Sequence, residues 1–365
     1  MESKQITLID VIEDMCTGKD VYLKPMRTAQ DIMNVDVKTL TLDHTVNQCI
    51  KFMENRRVRH VPVVDLPYEG QTKPYFIGVV SQRDVLRINA PDDRKTERQK
   101  TDHRALRQLL VQIVARKPKS VSLQTSVQNV ITTMILNHID MVPVLNEGDL
   151  AGIITTTDFL KLFFKLNKVV NQLCTALKKG PVPSEKDLNR SAMAGVLFSW
   201  IFRTVQEIMT EEFICLDPQD KITRAIDVIQ EEEIRHILIN DEQGKFLGLL
   251  SDRDILRSLP FSGRRPPSPQ KRFREHLFAI KPQTKCLELS IDSIMKRKPL
   301  HVTPNCTIYE AADILYKKKI SCLPVIDKQN NLKGVITVTD LMRLLLEVYE
   351  PARQIDIIPQ QLTTS

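Results

Sequence analysis

The sequence predicts an α/β protein of the α+β kind, made of four copies of one β-α-β-β-α unit paired into two modules. Three observations predict it. An apolar stripe with helical spacing occurs four times, each stripe is followed at a fixed distance by a β-branched run, and each run is followed by a second strand that leads into Ser/Thr-x-x-Asp. Recurrence at a period of tens of residues is the signature of a repeat architecture.

Each copy opens on a short apolar pair: Ile32-Met33, Ile113-Val114, Ile208-Met209 and Ile294-Met295. Thirteen residues past the second member a stripe begins at i, i+3, i+4 and i+7. The stripes are Val46, Cys49, Ile50, Met53; Val127, Val130, Ile131, Met134; Ile222, Ala225, Ile226, Ile229; and Ile308, Ala311, Ala312, Leu315. That spacing puts four apolar side chains on one face of a helix. Sixteen residues past the start of its stripe, each copy is inside a strand-forming run: HVPVVD, MVPVLN, HILIND or CLPVID. A second strand follows a spacer of varying length and carries Gly78, Gly152, Gly248 or Gly334. Six residues after each glycine stands Asp84, Asp158, Asp254 or Asp340, and then a helical stretch, VLRI, FLKLFF, ILRSL or LMRLLL. Length varies only in the hairpin, where loops tolerate it.

The copies alternate in type. The first and third share Arg-His before the strand (Arg59-His60 and Arg235-His236) and SxRDxLR after it, whereas the second and fourth share TxTD. A two-repeat unit is therefore what was duplicated. The predicted organisation is an N-terminal segment 1–24, a first module 25–170 (repeats 25–90 and 106–166), a linker 171–203, a second module 204–350 (repeats 204–259 and 288–348) and a tail 351–365. A unit of about 55–65 residues lies near the lower limit for folding alone, so the repeats should pack in pairs.

Composition sets outer bounds. In 365 residues, 42% are hydrophobic and 27% charged, an ordinary balance for a soluble chain. No window approaches eighteen consecutive apolar residues, which argues against a membrane span. The first fifteen residues mix acidic with apolar side chains and have no basic start, which argues against a secretory leader. The seven cysteines stand singly and form no CxxC, so reduced thiols and a cytoplasmic location are expected. The net charge of +7 is a mild excess that selects no partner by itself.

The fourfold pattern, ending each time in Gly-h-h-Ser/Thr-x-x-Asp, resembles the cystathionine-β-synthase (CBS) repeat, whose pairs are called Bateman modules. The resemblance covers residues 25 to 348. Four repeats in one chain is also a layout similar to the gamma subunit of AMP-activated protein kinase. The resemblance implies clefts between paired repeats that take adenosine-containing ligands: AMP, ADP or ATP, with S-adenosylmethionine and NAD(H) as further candidates and no required cofactor. It implies that Asp84, Asp158, Asp254 and Asp340 hold ribose, and that Ser81, Thr155, Ser251 and Thr337 lie near phosphate.

Two readings of these residues coexist. A Ser/Thr three residues ahead of an Asp at a helix start is a capping box, which needs no ligand. The same helix start, with its free N–H groups, suits phosphate. Phosphate also calls for cations, and Arg59, His60, Arg83, Arg235, His236 and Arg253 are the candidates. The resemblance pairs Arg59 with Asp84 and Arg235 with Asp254, while the bland alternative for the arginines is a surface ion pair of about 0–1 kcal/mol. Asp140 and Ser321 stand where the second and fourth repeats would carry that arginine. An acidic group there repels phosphate, so one good site per module is expected.

Catalysis finds no support. GxSxG, Walker A and HExxH are absent, and the seven histidines form no HxH or HxxxH pair, so neither catalytic residues nor a metal site are expected. The expected function is a regulatory, adenine-nucleotide-binding sensor that changes conformation or partner binding with occupancy, in a chain that is not an enzyme and forms homo-oligomers. The alternatives are a scaffolding protein with vestigial sites and a nucleic-acid-binding regulator. The latter would use the basic stretches 92–107 and 263–276 (including Arg264, Arg265, Lys271, Arg272 and Arg274), which are otherwise solvated linkers. Trp200, in AGVLFSWIF, is expected to pack at the start of the second module.

Overall fold

A computed structural model describes residues 27–65, 74–89, 109–166, 203–258 and 289–349. The N-terminal segment 1–24, the basic stretches, Trp200 and the tail fall outside the described residues.

Each repeat forms the expected elements. The first has β1 (Leu40–Thr41), α1 (Val46–Arg56), β2 (His60–Asp65), β3 (Tyr75–Ser81) and α2 (Gln82–Asn89). The second has β4 (Ala115–Arg116), β5 (Val121–Ser122), α3 (Val127–Leu136), β6 (Met141–Asn146), β7 (Asp149–Thr155) and a helix α4 over 156–166. The third has β8 (Cys215–Leu216), α5 (Ile222–Glu231), β9 (His236–Asn240), β10 (Phe246–Ser251) and α6 (Asp252–Ser258). The fourth has β11 (Lys296–Arg297), α7 (Ile308–Lys318), β12 (Cys322–Ile326), β13 (Leu332–Thr337) and α8 (Val338–Tyr349).

Local chemistry sets the helix ends. Thr45 and Thr307 close capping boxes with Gln48 and Glu310, and α1 and α7 stop at Arg57 and Lys319, which turn into the left-handed region at φ 57° and 54°. Every residue of the four predicted stripes is buried. Each hairpin is antiparallel and skips one residue on its second strand just before or after the glycine, for example between Val63↔Gly78 and Val64↔Phe76. Such a bulge adds twist locally.

The repeats of a pair exchange their opening segments. Residues Ala115 and Arg116, at the start of the second repeat, pair with Val79 and Gly78 of the first. In return Asn34, at the start of the first, bridges Ile153 of the second. The second module does the same: Lys296 and Arg297 pair with Leu249 and Gly248, and Thr210 bridges Val335. This crossing explains the glycine in each second strand. A Cβ at Gly152 would lie 2.9 Å from Asn34 O, and one at Gly334 would lie 2.7 Å from Thr210 O. The apolar pair rides on the same glycine, with Met33 and Met209 sulfurs against Gly152 and Gly334. Gly334→Ala is therefore expected to cost about 1–3 kcal/mol by overpacking. Urea unfolding at constant slope should show it as a lower midpoint, and an unchanged midpoint would mean that the crossing strand moves aside freely.

The four repeats close into a ring. Within a module they meet through small sheet-to-sheet cores: Phe76, Val79 and Met141 in the first, and Leu238, Phe246 and Ile326 in the second. Between modules they share the two large cores. One joins the first repeat to the third (Ile50, Met53 and Leu86 with Ile226, Ile229 and Leu256), and the other joins the second to the fourth (Ile131, Met134 and Phe163 with Leu315, Leu341 and Leu345). The modules thus cover each other's helical faces within a single chain.

Candidate functional site

The Ser/Thr-to-Asp bonds of the predicted boxes form in all four repeats, and the return bond from the Asp N–H to the hydroxyl is present at Ser81, Ser251 and Thr337. The backbone N–H and the hydroxyl of Ser81, Thr155, Ser251 and Thr337 both donate to Oδ2 of Asp84 (2.8 and 2.6 Å), Asp158 (2.9 and 2.7 Å), Asp254 (3.1 and 2.5 Å) and Asp340 (2.8 and 2.7 Å). One carboxylate oxygen of each aspartate is thereby committed to the helix start. The copies differ at the other oxygen. Asp158 Oδ1 accepts from Lys161 Nζ at 2.8 Å. Asp340 Oδ1 accepts from Arg343 Nη1 at 2.9 Å and from Thr210 Oγ1 at 3.1 Å. Asp84 Oδ1 has Arg87 Nη1 no nearer than 4.0 Å, and its side chain keeps 20% exposure against 8% for Asp158 and 2% for Asp340. Asp84 is therefore better placed than Asp158 or Asp340 to accept from two vicinal hydroxyls. The cation three residues after each aspartate is visible in VLRI, FLKL, ILRS and LMRL, but spacing alone does not show whether it competes for Oδ1.

Asp84 lies in a cleft of about 190 Å³ between the first two repeats. Val79, Ala115, Ile139 and Met141 give it an apolar wall, and Ser81, Gln82, Arg83 and Arg59 give it a polar end. Two polar atoms on residues of this cleft are buried without a hydrogen-bond partner: Arg59 Nε and Gln82 Oε1. A larger cleft of about 740 Å³ is lined by residues of all four repeats, among them Arg83, Thr337, Val335, Thr210 and Phe213, with the acidic rim Glu211, Glu212, Glu232 and Glu233.

Both clefts reach the centre of the ring, where the residue ahead of each central strand arrives from all four repeats. Two of the contacts there are diagonal. Arg59 Nη2 donates to Ser321 Oγ at 3.1 Å, joining the first repeat to the fourth. Arg235 and Asp140 form a direct ion pair, joining the third to the second. Arg83 Nη2 donates to Glu233 O at 3.0 Å. Arg235 also lines the first cleft, so the arginine that the sequence grouped with Asp254 faces Asp84 as well. Asp252, two residues ahead of Asp254, is a buried carboxylate at this centre that the sequence did not single out. Its position after the Ser of the box was the available signal.

The electrostatics follow from burial. His60 and His236 are pushed down to about 3, first by burial and then by the neighbouring arginines, so both are neutral near pH 7. Neutral His236 explains the Ser321 hydroxyl: it accepts from Arg59 and can donate to His236 Nε2 at 3.3 Å. Burial raises the Asp252 carboxyl, but Arg59 and Arg235 outweigh it and hold it below the usual range. Arg253 is lowered to about 10 by burial and by Arg59. Among the described residues no group of three or more His, Cys, Asp or Glu could hold a metal ion, and no helix is long and apolar enough to cross a membrane.

Comparison with known proteins bears on this layout. A CBS domain-containing protein of Dictyostelium discoideum is 25% identical over 149 residues, 40% of this chain and 94% of that protein. Protein MJ1225 of Methanocaldococcus jannaschii is 24% identical over 266 residues, 69% of this chain and 81% of its own length. The crystal structure of MJ1225 matches with a TM-score of 0.66 at 16% identity, covering 87% of this chain and 99% of that one, a likeness of fold. The CBS domain model matches residues 29–90, 110–165, 205–260 and 291–347, well over half of the sequence. These are the four units described above, paired as two Bateman modules, and the chain belongs to the CBS domain family.

Proposed function

We propose that this chain is a regulatory sensor of adenine nucleotides and not an enzyme. The observation that carries the reading is the first cleft, which sets Asp84, with one carboxylate oxygen uncommitted by the helix cap, between an apolar wall and Arg59, whose buried Nε has no partner. An adenine fits the wall, the ribose hydroxyls fit Asp84, and a phosphate fits the arginine end. The cleft draws residues from three repeats and both modules, so occupancy can bias how the modules meet, provided the ligand binds two arrangements with different affinity. Asp158 and Asp340, with both oxygens held from within the chain, serve as helix caps.

Melting the full chain with AMP, ADP, ATP, NADH and S-adenosylmethionine tests the reading. A ligand at a hundred times its dissociation constant should add about 2.7 kcal/mol, a rise of several degrees. No rise with any of them would leave a scaffold. Asp84→Ala should weaken binding about tenfold or more, through loss of charge-assisted bonds of about 1.5–3 kcal/mol, whereas Asp158→Ala should not. Equal affinity of the Asp84 variant and the parent, both folded, would move the site elsewhere.

A further inference from the structure

We infer that Asp140 occupies the place of a ligand phosphate at the centre of the ring and thereby limits the first cleft to adenosine-type ligands carrying at most one phosphate. The inference rests on the adenosine-binding reading of that cleft and adds the class of ligand it accepts.

Asp140 comes from the second repeat, at the position where the first and third carry Arg59 and Arg235. Its carboxylate does not sit beside an arginine of its own module. It crosses the ring to form an ion pair with Arg235 of the third repeat, and its Oδ2 lies 3.8 Å from His60 Nε2. Both partners are largely buried, with 17% of the Asp140 side chain and 10% of the Arg235 side chain exposed. Asp140 and Arg235 border both clefts, so the pair forms part of the wall between them.

Cations crowd this centre: Arg235 is held well below its ordinary value by burial and then by Arg59, Arg83 and Arg253, with Asp252 opposing them. The guanidinium groups of Arg59 and Arg235 face the carboxylates of Asp140 and Asp252. His60 and His236 are neutral and add no positive charge. Arg83 already donates to Glu233 O across the module boundary. Arg59 Nε is a buried donor without a partner on a residue of this cleft, and it can take one phosphate oxygen. A second or third phosphate would extend toward Arg235 and meet the Asp140 carboxylate seated there. Like charges in a buried setting repel strongly, since little water screens them. The ligand class favoured is a nucleoside, a nucleoside thioether or a nucleoside monophosphate.

Titration calorimetry of the full chain with adenosine, AMP and ATP tests this, with Asp140→Asn and Asp140→Glu compared with the parent. The parent should bind AMP at least as tightly as adenosine and bind ATP more weakly than AMP. Asp140→Asn keeps the shape, removes the charge and should raise ATP affinity relative to AMP by about tenfold or more. Asp140→Glu keeps the charge and should keep the parent's order. A parent that prefers ATP to AMP by more than about tenfold overturns the inference, and this result stands even if the Asn variant does not fold. So does an ATP-to-AMP ratio that is the same in parent and Asn variant. In both of those outcomes adenosine still binds and the nucleotide-sensor reading survives. If no compound binds parent or variant, that reading falls, and this one with it.

Discussion

Arg235→Met should lower the unfolding free energy by about 3–5 kcal/mol, the usual cost of stranding one member of a buried ion pair. Methionine has nearly the length of the arginine stem, so the loss comes chiefly from charge. Asp140 loses its direct partner, and Asp252 loses one of the two guanidinium groups that hold its buried carboxyl ionised. Urea unfolding at neutral pH should show the effect as a lower midpoint. Adding Asp140→Ala to the same chain should recover part of the loss, because the stranded carboxylate goes with it. The double-mutant cycle then isolates the coupling across the module boundary. Simple additivity of the two substitutions would show that the two side chains do not act on each other.

Acid should destabilise the fold well above the pH at which carboxylates titrate, and two histidines should cause much of it. His60 and His236 have folded values of about 3 against an ordinary value of 6.5. Between those limits the unfolded chain binds two protons that the folded chain does not. Stability therefore rises with pH across that window and levels off above it, at a slope approaching about 1.4 kcal/mol per unit for each histidine. From pH 7 to pH 5 the pair should account for a loss of about 4 kcal/mol. The physical cause is burial first, with the arginines around the centre adding to it. Melting temperatures from pH 5 to 8 should trace this dependence, and His60→Gln combined with His236→Gln should flatten it. A parent whose midpoint is level from pH 5 to 7 would place these rings in contact with water.

Most of what is local to a repeat could be read from the sequence. The stripe from Val46 to Met53 is buried as written, since a spacing of three and four residues suits one packing face and no other. The box from Ser81 to Asp84 closes as written because it is completed within four residues. The glycine six residues ahead of each aspartate was visible without its reason, because the backbone that crosses it comes from another repeat. The arginines show the same boundary more sharply. The resemblance pairs Arg235 with Asp254, which shares its repeat, whereas the ring sets Arg235 against Asp140, ninety-five residues earlier in the chain. Periodicity records which face of an element is covered and says nothing of which distant element covers it. Asp140 therefore read as a feature of its own repeat, and its role across the centre needed coordinates.

The exchange of opening strands has a bearing on descent. A solitary copy would carry an orphan strand at one end and an uncovered hairpin edge over its glycine. Neither defect can be mended without a sibling. The smallest portion of such a gene that can be transplanted into another protein and still fold is accordingly the twosome, and ancestry in this lineage should be traced in even numbers.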